Sequence, residues 1–192
     1  LKQTVESYCD LETADDQTSL VARDGSLVSV VKVHGVTRLI GNDEFNAIHA
    51  GLTQSLQATL KRAGHVVQVY FTYDRAAVKP EIEDILAPAR ATAKRLKLNL
   101  DDLFKERVDY ISKYCAHEEL YFVLWTRPYS LTKEQQQRAS KDKLKFIREH
   151  KIPPFKNGQN LIAGIPDLRE AHTSFVRSLV TDLLALNVYC QL

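Results

Sequence analysis

The 192 residues include 26 basic and 24 acidic side chains, with 44% hydrophobic and 26% charged residues. These proportions suit a soluble globular domain and exclude a disordered chain, a collagen-like chain and a coiled-coil rod. The longest apolar run, Leu120 to Trp125, has six residues, against about 20 for a membrane-crossing helix, and a net charge of +2 gives no global field for gathering nucleic acid.

Residues 1–16, polar and acidic around Cys9, read as a flexible leading segment ahead of a single α+β domain over 17–192. Two β-prone runs, Thr18–Arg23 and Ser26–Val33, flank Asp24-Gly25 and predict a hairpin whose two central residues both take positive φ. Gly35 closes the second strand, and Val36–Ile40 extends the sheet past a bend. Asn42 or Asp43 caps a helix running to about Ala63, with Phe45, Ile48, Leu52, Leu56 and Leu60 as its apolar stripe and Gly64 in the left-handed position after it. A strand over 66–73 places Val67, Val69, Phe71 and Tyr73 on one face.

Pro80 opens a helix whose period (Ile82, Ile85, Leu86, Ala89, Ala93, Leu96) continues through Pro88, where a kink or break is expected. A second helix, from Asn99 or Asp101, buries Leu103, Phe104, Val108, Ile111 and Cys115. Leu120–Trp125 has large side chains on both faces, which predicts a central strand covered on both sides and ended by Pro128. A polar helix over 131–150 and a loop over 151–165 follow. A last helix from Pro166 carries the stripe Leu168, His172, Phe175, Leu179, Leu183 and Leu186. Together these elements predict an α+β fold: a mixed sheet of about four strands including the N-terminal hairpin, helices packed mainly on one face, and a helical C-terminal part.

No compact chemical motif is present. Gly35/Gly41 and Gly158/Gly164 lack the lysine and hydroxyl of a phosphate-cradling loop, so no nucleotide, cofactor or metal is expected in this segment and no catalytic residue is assigned. The three cysteines, Cys9, Cys115 and Cys190, are odd in number and widely spaced, and read as reduced thiols. The six histidines have no metal-binding spacing; His172 reads as a satisfied core or interface histidine. Asp101-Asp102 reads as a helix start and Glu118-Glu119 as solvated. Tyr70, Tyr73, Tyr121 and Trp125 lie on strands, where exposed rings can stack RNA bases, but helices are expected to cover them. Segment 131–151 has seven basic residues against three acidic, a local charge of +4. It reads either as a solvated helix face or as a contact patch for an acidic protein, anionic headgroups or nucleic acid, centred on Lys141, Lys143, Lys145 and Arg148.

Two stretches carry a resemblance: Cys9-Asp-Leu-Glu-Thr13 running into Thr18–Gly35, and Glu119-Leu-Tyr-Phe-Val-Leu-Trp-Thr-Arg-Pro128 with Leu131-Thr-Lys-Glu-Gln135 behind it. Their order resembles the N-terminal region of the large cytoplasmic ATPases of type IV secretion and conjugation systems, closest to the IcmB/DotO-type ATPases of Dot/Icm systems. The resemblance implies a non-catalytic docking and assembly domain. ATP and Mg would belong to a RecA-like domain elsewhere in the parent protein, and a chain with no methionine, starting at Leu1, fits a segment of such a parent. It also implies a place at the cytoplasmic face of the bacterial inner membrane, with the secretion ATPase subunits and the inner-membrane complex as partners. A homo-oligomeric parent, possible peripheral membrane contact and no direct nucleic acid belong to the same expectation. The other readings are a nucleic-acid-binding α+β domain using 131–151 and a small enzyme with an unrecognised site.

Overall fold

The computed structural model describes residues 10–151 and 166–192. Asp24-Gly25 turns the chain between β2 (Leu20–Ala22) and β3 (Leu27–Gly35), which pair antiparallel. Only Gly25 takes a positive φ, 83°. Asp24 instead accepts from the Ser26 amide at 2.9 Å through Oδ1, so its side chain does part of the turning. A strand precedes the hairpin: β1 (Leu11–Ala14) pairs with β2. Residues 10–16, read as part of a flexible leading segment, are thus tied into the sheet, while 1–9 lie outside the described residues. The polarity that suggested a loose segment belongs to an edge strand whose residues are all exposed.

After β3 the chain leaves the sheet, and 36–40 form no strand. Helix α1 (Asn42–Leu60) begins after Gly41 without a side-chain cap, and Gly64 follows it at φ 92°. Strands β4 (His65–Asp74) and β5 (His117–Thr126) complete the order β1-β2-β3-β5-β4, with β6 (Tyr189–Gln191) also pairing β3. The expected mixed sheet of about four strands is an antiparallel sheet of six. The class is α+β as the periodicities imply.

The chain forms two compact units, Leu1–Tyr70 with Tyr121–Leu192, and Phe71–Leu120. In the first, helix α5 (Pro166–Ala185) packs on β3 and buries Leu168, His172, Phe175, Val176, Leu179 and Leu183. Its stripe is the one predicted, apart from half-buried Leu186. Leu27, Leu124, Leu168 and Leu179 are fully buried, each contributing about 1.5–3 kcal/mol relative to an exposed side chain. Helix α1 lies beside α5. A Cβ added at Gly51 would meet Leu186 at 2.5 Å, and Ser55 donates to Asp182 Oδ2 at 2.5 Å. Phe45, predicted on the stripe, is 58% exposed, because the covered side runs through Ile48, Gly51, Leu52, Ser55 and Leu56 instead.

In the second unit, α2 (Val78–Arg95) and α3 (Asp101–Ile111) pack together around Val78, Ala93 and Val108. The helix α2 is continuous through Pro88, without the expected break. Lys79 Nζ meets Asp109 Oδ1 at 2.7 Å, and the Arg90 guanidinium lies over the Phe104 ring at 5.8 Å. Ile85, Leu103 and Cys115, placed on buried faces by their spacing, are exposed. A pair of helices this short has one shared seam, too narrow for the whole stripe.

Candidate functional site: the outward face of a basic helix

Helix α4 (Lys133–Glu149) starts on a complete capping box. Thr132 Oγ1 accepts from the Gln135 amide at 3.3 Å, and Gln135 Oε1 accepts from the Thr132 amide at 2.9 Å. The cap fixes the helix start, and buried Leu131 and Ala139 fix its rotation. At 100° per residue, Gln135, Ala139, Asp142, Lys143, Phe146 and Ile147 fall on the covered side. Lys141, Leu144, Lys145 and Arg148 fall opposite, and all four are exposed.

Three of the four residues selected from the sequence therefore share one outward stripe. Lys143 does not: two positions from each neighbour, it points to the other side. There it is half-buried in a hollow of about 430 Å³ with Asp24, Gly25, Pro128 and Tyr129. Leu144 is 56% exposed between the cations. Arg138 is drawn toward Asp167 at 3.6 Å, and Lys145 lies 3.8 Å from Glu149 one turn on.

A second cluster carries buried polar chemistry. His172, 1% exposed, sits between two strands. Its Nε2 is 2.9 Å from Ser29 Oγ and its Nδ1 is 2.9 Å from Thr126 Oγ1. Ser29 Oγ donates to the Thr18 carbonyl at 2.7 Å. This assigns the ring proton to Nε2, which donates to Ser29, and leaves Nδ1 to accept from Thr126. A serine beside a histidine suggests a nucleophile and its base, but this serine's proton points away from the ring. Burial, then the neighbouring His65, pushes the His172 pKa down to about 4. His65 stacks on Phe175 at 4.5 Å, and burial followed by the Arg62 charge lowers its pKa too. His172, Ser29 and Thr126 form a satisfied polar core, whereas among the described residues neither ring nitrogen of His65 has a hydrogen-bond partner.

Among the described residues no group of His, Cys, Asp and Glu is arranged to hold a metal ion. A Cβ added at Gly35 or Gly41 would meet open space; Gly158 and Gly164 lie outside the described residues. Compared with known protein families and with curated proteins, the chain matches none. Among the described residues no helix is long and apolar enough to cross a membrane.

The strand rings depart most from expectation. On β5, Phe122, Leu124 and Thr126 are buried, while the alternate residues Tyr121, Val123 and Trp125 are only half-buried. Tyr70 is 54% exposed and Tyr73 52% exposed. Among the described residues, one face of the strand is fully covered and the other only partly.

Proposed function

We propose that this chain is a non-catalytic docking domain of a cytoplasmic ATPase of type IV secretion or conjugation. Its contact is the outward stripe of α4, which engages an anionic surface at the cytoplasmic face of the inner membrane. The stripe carries the reading: Lys141, Lys145 and Arg148 surround exposed Leu144 on a helix whose cap and opposite side fix where they point. A Lys or Arg beside anionic headgroups is worth about 1 kcal/mol, so three provide a bias of about 3 kcal/mol, and Leu144 adds apolar contact. The resemblance of the hairpin and of Glu119–Pro128 supports the parent assignment. On this reading ATP and Mg belong to another domain of the parent, and the partners are other secretion ATPase subunits and the inner-membrane complex.

The test is the triple variant Lys141→Glu, Lys145→Glu, Arg148→Glu in the full-length parent. Recovery with membranes and secretion of substrates should fall while circular dichroism of the chain stays unchanged. Lys143→Glu should leave docking intact. Sedimentation of the chain with vesicles, with and without anionic lipid, separates a lipid surface from an acidic protein. Wild-type membrane recovery and secretion in a folded triple variant would refute the reading.

A further inference from the structure

The sheet face opposite α5 holds a different kind of surface. His172 and Phe175 of α5 reach Ser29, Thr126 and His65, so the alternate positions Lys32, Tyr121, Trp125 and Tyr70 point away from that helix. The Tyr70 and Tyr121 rings lie 6.2 Å apart, and the Lys32 ammonium sits 5.5 Å over the Tyr121 ring. Trp125 forms the wall of a hollow of about 430 Å³ shared with Asp10, Arg23, Asp24, Gln68 and Arg127. Rings, cations, two carboxylates and an amide thus lie on this side of the sheet.

We propose that this face binds single-stranded nucleic acid, with one base stacked on Trp125 inside the hollow and another on Tyr121 or Tyr70. Trp125 and Tyr121 are four residues apart on one strand, about 13 Å, a spacing that suits bases splayed onto separate rings. Arg23 and Arg127 flank the hollow, and Lys32 flanks the tyrosines, within reach of the phosphates that join those bases. Gln68 and the carboxylates of Asp10 and Asp24 supply donors and acceptors for a base edge. The core of a protein-docking patch is depleted of charge. Here the cations lie among the rings, as stacking combined with phosphate contact requires.

The readout is built in, because Trp125 is the only tryptophan of the chain. Its fluorescence is followed during titration with oligo-dT and oligo-rU of about 12 nucleotides. Saturable quenching is expected. With three phosphate contacts the salt slope is about −2, so affinity should fall about twentyfold between 50 and 200 mM salt. Tyr121→Ala and Arg127→Glu should each weaken binding about fivefold or more. By anisotropy of labelled oligonucleotide, Trp125→Ala should weaken binding to a similar degree and Trp125→Phe should retain it. Circular dichroism confirms that each variant is folded. The α4 triple variant should leave quenching unchanged, which keeps this surface distinct from the docking stripe. The proposal is overturned if neither oligonucleotide quenches Trp125 at low salt, or if binding survives the loss of both rings. Quenching by a proline-rich peptide and not by the oligonucleotides would overturn it in favour of a protein partner.

Discussion

His172 makes stability depend on pH in a way that can be worked out in advance. Its ring is buried, neutral and bonded through both nitrogens to Ser29 and Thr126. The folded pKa is about 4 against 6.5 for the free group. Above pH 6.5 the ring is neutral in both states and titration contributes nothing. As pH falls from 6.5 toward 4, the unfolded chain takes up the proton and the folded chain does not, so folding stability declines through that window. At 1.36 kcal/mol per unit, the full loss is about 3 kcal/mol, a large share of the roughly 5–15 kcal/mol that holds a domain together. His65, its pKa lowered by burial, pulls in the same direction, while Asp15 and Asp16 partly offset the effect on His172. The assay is urea unfolding of wild type and His172→Gln at pH 7.5, 6, 5 and 4. Glutamine can serve one strand hydroxyl but cannot titrate, so the variant should start less stable. It should then lose about 3 kcal/mol less than wild type on acidification. Parallel pH profiles for the two proteins would refute the assignment of a neutral, buried imidazole.

Three further outcomes follow from the same geometry. Phe122→Ala removes a side chain only 6% exposed and should cost about 3–5 kcal/mol, seen as a lower denaturation midpoint; an unchanged midpoint would contradict its burial. Gly64→Ala places a Cβ 2.9 Å from the Ser130 backbone at a residue with φ 92°, so a loss of more than about 1 kcal/mol is expected in thermal melts. Since no phosphate-cradling motif is present in the sequence, the chain should bind no ATP in calorimetry, and saturable micromolar binding would disprove this.

What the sequence revealed depended on how far each signal is local. The α5 stripe from Leu168 to Leu183 was readable because one helix face meets a broad sheet, so period alone decides burial. The hairpin was readable from Asp24-Gly25, but the number of left-handed residues was not, because the Asp24 side chain substitutes for one of them. β6 was not legible: three residues with no alternation to speak of become a strand only because β3 offers its edge. The outward aromatics were misread for a related reason. Leu120–Trp125 is apolar on both faces whether or not a second layer exists, and composition does not encode how much of each face is covered. At α4, charge density marks the segment in the sequence. The division of Lys143 from Lys141 and Lys145 needed the helix rotation, which Ala139 and Leu131 set through contacts distant in sequence. Thr132-Lys-Glu-Gln135 was a capping signature in plain view and went unused.

The pairing of β3 with β6 has a consequence for how the molecule is made. Val33 finds its partner in Cys190 and Lys32 in Gln191, so a strand synthesised early waits for a segment far downstream in the chain. Phe71–Leu120 is contiguous and its helices contact near neighbours in the chain, and such local contacts form fast. During translation that unit can be complete while the first is still an open edge at β3, a template for any other extended chain nearby. A pause that delays β6 would lengthen that exposure, and pulse-labelled nascent chains should show early protease resistance confined to residues 71–120.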